Sequence, residues 1–132
     1  MIKIVMTFLI LAVSLFAELI HQPLNQKLLN SKIPIVDIRT PGEWKETGIV
    51  KNSIPIVFFD ERGQYNVEAF LEELNSKVDT KKQFALICRT GSRTKVVADF
   101  LSKKLGYNVI NLQYGITHAM RQNLPVEPYR GK

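Results

Sequence analysis

Along the chain, short runs of consecutive apolar residues alternate with stretches in which apolar residues recur every three or four positions. The first kind reads as strands buried on both faces, the second as helices with one buried side. "IPIVDI" (33–38), "SIPIVFF" (53–59), "FALIC" (84–88) and "NVINL" (108–112) are of the first kind, with Pro55 interrupting the second run early. "NQKLLNSK" (25–32) is a short amphipathic helix candidate, and "TPGEW" (40–44) offers a helix start. There Thr40 caps, Pro41 suits the first turn and Glu43 stands three residues beyond the cap. "NVEAFLEELNSK" (66–77) puts Val67, Phe70, Leu71 and Leu74 on one helical face. "RTKVVADFLSKKLG" (93–106) predicts a helix with Val96, Val97, Phe100, Leu101 and Leu105 inward and Gly106 as its terminator. "GITHAMRQN" (115–123) is a last helix before "LPVEPY" (124–129). Strand and helix patterns in alternation predict an α/β domain, with a parallel open sheet flanked by helices on both faces.

The beginning of the chain has a different pattern. "MIKIVMTFLILAVSLFA" carries Lys3 near its start, an apolar stretch of about 13 residues from Ile4 to Phe16, and then Ala17 followed by the polar "ELIHQPLNQK". That is the layout of a secretory signal peptide. The stretch is short against the roughly 20 residues that span a bilayer, so the expected organisation is a signal over 1–17, or an uncleaved anchor, followed by one domain over 18–132. The expected location is outside the cytosol, the periplasm if the cell is bacterial, and contact with a membrane is expected only through an uncleaved N-terminal segment.

Composition adds limits. The sequence has 132 residues, 45% of them hydrophobic and 23% charged, which is the balance of one ordinary globular domain. A net charge of +6 favours anionic partners. The lysine pairs Lys81–Lys82 and Lys103–Lys104 fall in separate turns with no aromatic residues between them, so nucleic-acid binding is not expected. His21 and His118 are far apart in sequence, and one cysteine cannot build a structural zinc centre. Neither a metal site nor a cofactor is expected. His118 reads as a surface or loop histidine.

Cys88 is the only cysteine, which excludes an internal disulfide and leaves a free thiol that needs either burial or a use. It ends the strand "FALIC" just before a helix, and the carboxyl ends of strands in open parallel sheets are where ligands bind. The following "RTGSR" is short and polar and contains Gly91, so successive backbone N–H groups can form a concave nest for an anion. The start of the next helix and the charges of Arg89, Arg93 and Lys95 act in the same direction, favouring thiolate over thiol. A small hydrophobe ending a core strand is the plain alternative. An anion nest around it would then have no purpose.

"CRTGSRT" (88–94) resembles the active loop of the rhodanese-like sulfurtransferases, whose usual wording is Cys-Arg-Ser-Gly-x-Arg-Ser. The resemblance covers nearly all of 18–132. "VDIRTPGEW" (36–44) is similar to the family's Asp-x-Arg-x-Pro-x-Glu-aromatic segment, "GIVKNS" (48–53) to its Gly-His-Ile-x-Gly-Ala, and "YGITHAMRQNLPV" (114–126) to its closing Gly-Gly-x-x-x-Trp…Gly-Leu-Pro-Val. Ile49 stands where the family has His, Asn52 where it has Gly, Tyr114 for the first closing Gly, Ala119 for Trp and Asn123 for a later Gly. None of these departures lies in the Cys88 loop. Tyr114 falls in a segment that resembles a wall of the family's active-site mouth.

The resemblance implies a rhodanese-like open parallel sheet and sulfur transfer through a Cys88 persulfide. The sulfur would come from a small sulfur-donor anion such as thiosulfate, or from another persulfide, and go to cyanide or an acceptor thiol, including a protein thiol. Arg89, Thr90, Gly91, Ser92 and Arg93 would bind the donor. Either arginine could instead brace the loop by pairing with a carboxylate. Asp37, Arg39 and Glu43 read as structural, with an ion pair among them, and Trp44 as packing. Two rivals stand beside this reading. Cysteine phosphatases and arsenate reductases resemble Cys-x5-Arg, one residue longer than the Cys-x4-Arg of Cys88 and Arg93. A non-catalytic sulfur-relay or protein-binding module would use the thiol only with a partner, or not at all.

Overall fold

The computed structural model describes residues 17–131, so nearly all of the segment read as an export signal lies outside the described residues. The element order is β1 (Leu19–Pro23), α1 (Gln26–Asn30), β2 (Ile35–Asp37), α2 (Pro41–Thr47), β3 (Ile49–Val50), β4 (Ile54–Pro55), α3 (Val67–Lys77), β5 (Phe84–Ile87), α4 (Ser92–Leu105), β6 (Val109–Gln113), α5 (Gly115–Arg121) and β7 (Val126–Glu127). Five strands form one parallel sheet in the order β1-β6-β5-β2-β4. β3 and β7 pair antiparallel as a separate ribbon.

Period-two alternation divides the core between the two faces of the sheet. Val36, Phe84, Leu86, Cys88 and Val109 face one way and pack with Phe70 and Leu74 of α3 and Val97, Ala98 and Leu101 of α4. Ile35, Ala85, Ile87, Ile110 and Leu112 face the other way, against Leu24, Leu28 of α1 and Ile116, Ala119 of α5. Both faces are covered, which is why these strands read as unbroken apolar runs.

Four expectations change. β1 was not expected, since "LIHQP" follows the polar residue Glu18 and ends in proline. It adds to the sheet edge by pairing its whole length with β6, Leu19 opposite Val109 through Pro23 opposite Gln113. The strand expected over 53–59 is regular only at Ile54–Pro55, because Pro55 lacks an N–H and the strand lies at the other edge. Beyond it the chain still donates from Ile56 N to Asp37 O (2.9 Å) and from Phe58 N to Ile38 O (3.3 Å). "LPVEPY" holds the short β7, whose partner is remote in sequence. On α4, Val96 and Leu105 are exposed, and the buried set is Thr94, Val97, Ala98, Leu101 and Ser102. A polar residue opens the inward stripe because Thr94 has polar partners inside, and this shifts the stripe away from Val96.

Three departures from the family wording have one conformational explanation. Asn52, Tyr114 and Asn123, which stand where the family has glycine, are the non-glycine residues with positive φ among those described (65°, 65° and 54°). The backbone keeps the left-handed shape, and asparagine tolerates it better than most side chains.

Candidate active site

The strand β5 ends at Ile87 and delivers Cys88, which is fully buried. One side of the sulfur faces the apolar cluster of α3 and α4. On the other, Gly91 N donates to Cys88 Sγ at 3.2 Å, and Thr94 Oγ1 lies 3.6 Å from it. Gly91 makes that curl possible. Its φ of 97° is left-handed, and a Cβ there would meet Tyr114 N at 2.8 Å.

The outer side of the loop is fastened by α5. Ile116 N donates to Cys88 O (2.9 Å), and Thr117 donates to Arg89 O from both its N–H (3.2 Å) and its hydroxyl (2.9 Å). Because a trans peptide sets its N–H opposite its C=O, the N–H groups of Arg89 and Thr90 face away from α5. No backbone acceptor among the described residues takes the N–H groups of Thr90, Ser92 or Arg93. The loop thus holds Cys88 beside a set of uncommitted donors at the start of the 14-residue α4, the arrangement that suits negative charge on sulfur.

The arginines take different roles. Arg93 makes a two-pronged bond to Glu43, Nη1 to Oε1 and Nη2 to Oε2, each 2.7 Å. This is the bracing arrangement of the two considered from sequence. Glu43 also completes the capping box of α2 with Thr40, so one carboxylate ties α2 to the loop. The Arg93 hydrogen bond, opposed by desolvation and helped by Arg93's charge and by Thr40, holds the Glu43 carboxyl down at about 2 against an ordinary 4.5. Arg93 is pushed up, by the same bond first, with smaller attractions to Cys88 and Asp37. Arg89 is half exposed and only 3.8 Å from the exposed Glu46, a pair worth little in water, so its guanidinium remains available to an anion. Thr90 and Ser92 are exposed at the loop surface.

A pH dependence follows. A carboxyl whose folded value is depressed stabilises fully above its ordinary range near 4.5 and loses that contribution as pH falls toward about 2. Urea midpoints of the wild type should therefore drop between pH 5 and about 2.5, and the drop should be smaller in Glu43→Gln. An equal acid loss in both proteins would contradict the bridge.

Asp37 and Arg39 form the ion pair expected among the three charged residues, both fully buried at 2.8 Å, while Glu43 belongs to Arg93 instead. Trp44 is buried and packs against Tyr129, ring centroids 5.2 Å apart. His118 Nε2 lies 3.2 Å from Leu24 O, turned toward the segment before α1. Sequence reasoning did not single out Asn111. Its Oδ1 accepts from Thr94 Oγ1 at 2.6 Å, and its Nδ2 lies 2.9 Å from His21 Nδ1. The available signal was an amide in the middle of the apolar "VINL".

The family model described as "Rhodanese-like domain" matches residues 17–121. The chain is 36% identical over 95 residues to the uncharacterized protein RP600 of Rickettsia prowazekii (strain Madrid E), covering 69% of this chain and 75% of that one. Its fold is similar to the crystal structure of Rv0390 from M. tuberculosis, with a TM-score of 0.65 at 18% identity over 83% of this chain and 98% of that one. It is also similar to a rhodanese-like domain protein from Staphylococcus aureus, with a TM-score of 0.56 at 26% identity over 76% and 89% of the two chains.

Proposed function

Since the chain belongs to the rhodanese-like domain family, a sulfurtransferase-type family, we propose that it carries sulfane sulfur as a persulfide on Cys88. The observation that carries this reading is the Gly91 N–H on Cys88 Sγ, inside a loop whose remaining amides are uncommitted. In the first step the Cys88 thiolate attacks the outer sulfur of the donor. A new S–S bond forms, the donor's S–S bond breaks, and its electron pair leaves on sulfite or on a thiolate. The product, Cys88–S–S⁻, bears its charge on sulfur beside preformed N–H donors, which stabilise it without reorganising. In the second step cyanide or an acceptor thiolate attacks the outer sulfur, and Cys88 thiolate leaves.

Arg89 is the cation that meets an anionic donor, and Arg93 holds the loop in shape through Glu43. Thr90, Gly91 and Ser92 contribute backbone donors. With the segment 1–17 read as an export signal, the reaction runs outside the cytosol, in the periplasm if the cell is bacterial.

One observation favours a second reading, a relay or binding module without turnover: Cys88 is fully buried, so a donor reaches the sulfur only as neighbouring groups shift. The two readings separate in an assay of thiocyanate formation from thiosulfate, or from a polysulfide, with cyanide. The wild type should turn over and Cys88→Ser should fall to background. Absence of turnover by a folded wild type with either donor would contradict the enzyme reading.

A further inference from the structure

A line of polar contacts leads from the sulfur to the surface. Cys88 Sγ lies 3.6 Å from Thr94 Oγ1, Thr94 Oγ1 is 2.6 Å from Asn111 Oδ1, and Asn111 Nδ2 is 2.9 Å from His21 Nδ1. Thr94 and Asn111 are buried, whereas His21 is exposed. The register explains the last link, since β1 pairs with β6 so that His21 stands directly opposite Asn111 on the face that α4 covers. His21 opens onto a cleft of about 420 Å³ beside the active loop, lined also by Thr90, Gly91, Lys95 and Tyr114.

The chain has few ways to place its hydrogens. A threonine hydroxyl has one, an amide has one donor end and one acceptor end, and an imidazole nitrogen donates or accepts according to its protonation. When His21 Nδ1 accepts, Asn111 turns its NH2 outward and its oxygen takes the Thr94 hydrogen. Thr94 then offers only lone pairs to the sulfur, which suits S–H and not a thiolate. When His21 is protonated, Nδ1–H requires an acceptor. The amide turns over, its NH2 donates to Thr94 Oγ1, and the hydroxyl hydrogen passes to the two other acceptors beside it, Gly91 O at 3.2 Å and Cys88 Sγ at 3.6 Å, of which a sulfur anion is the more strongly attracting.

We propose that His21 is a positioning residue for the Cys88 reaction: through Asn111 and Thr94 its protonation decides whether the threonine hydroxyl donates to the sulfur or accepts from it. The charged form of His21 supplies an anionic sulfur with a second donor beside the Gly91 N–H. The sulfurtransferase reading gives this device its use, but the device itself concerns only the reactivity of Cys88. The other titratable groups in the cleft are Lys95 of α4 and Tyr114 at the start of α5. On the sulfur side stands Arg93, held by Glu43. His118, the other histidine, is turned to Leu24.

The test is the rate of Cys88 alkylation by iodoacetamide from pH 5 to 9, in the full chain and in His21→Ala. A hydrogen bond to a charged group corresponds to roughly a tenfold or larger change in equilibrium. The ratio of wild-type to His21→Ala rates should therefore rise about tenfold as pH falls through the histidine range, and His118→Ala should leave it in place. In a Thr94→Val background the His21→Ala effect should vanish, and Thr94→Ser should restore it. A ratio independent of pH would overturn the proposal, and so would a His21 effect that persists without the hydroxyl. Alkylation needs no sulfur donor. A protein that forms no thiocyanate but keeps the pH-dependent ratio would therefore lose the sulfurtransferase reading and retain this one.

Discussion

Arg39→Ala is expected to cost about 3–5 kcal/mol, the usual result of leaving one buried charge without its partner. In the native chain Arg39 is fully buried, and its guanidinium is almost wholly spent. Nε contacts both Asp37 oxygens (3.0 and 3.1 Å), Nη2 reaches Asp37 Oδ2 (2.8 Å) and Gly48 O (2.9 Å), and Nη1 reaches Thr47 Oγ1 (2.8 Å). The residue therefore joins the end of β2 to the end of α2, the helix that carries Glu43 to the active loop. Truncation strands the Asp37 carboxylate in a dry interior and loosens α2. Arg39→Lys should recover little, because a point charge cannot reproduce a planar fork with three separate partners. Urea denaturation of the three proteins measures the effect, and a loss below about 1 kcal/mol for Arg39→Ala would contradict the network.

Gly115→Ala should damage the active loop from outside it, through a clash with two of its carbonyl oxygens. Gly115 has a φ of 54°, and a Cβ built there collides with the carbonyl oxygens of Cys88 and Arg89. Those carbonyls accept the N–H groups of Ile116 and Thr117, so the close approach and the loop anchorage are one feature. The left-handed conformation alone costs an alanine roughly 1–2 kcal/mol, and the collision with backbone adds to it, since neither carbonyl moves without releasing its α5 donor. The expected outcome is a destabilised but foldable protein whose Cys88 takes up sulfur at least tenfold more slowly, an effect that a loss of about 1.4 kcal/mol at the loop would produce. Sulfur uptake at the wild-type rate would mean that α5 does not shape the nest. Position 114 has the opposite character. Tyr114 also has positive φ, but its side chain is exposed, so a large residue fits where the family usually has glycine.

The central strands were legible because they are covered on both sides. "IPIVDI", "FALIC" and "NVINL" could hardly be anything else once helices alternated with them. The edges were harder to read. β1 carries His21 and Gln22 and ends at Pro23, while β7 is two residues long and exists only through its partner β3. Hydrophobicity also misplaced the inward stripe of α4, since Thr94 is inside for a polar reason that lies 17 residues away, at Asn111. The Cys88 loop itself was readable from strand, glycine and charge. The pairing of Arg93 with Glu43 was not, because it spans 50 residues and either arginine was as good a candidate for a donor as for a brace.

The most direct measurement is the intact mass of the protein after exposure to a polysulfide or thiosulfate, beside Cys88→Ser. The expected result is a gain of one sulfur atom by the wild type alone, removed by cyanide with release of thiocyanate. A folded wild type that gains no sulfur, or a Cys88→Ser protein that gains as much, would contradict a persulfide carried at Cys88.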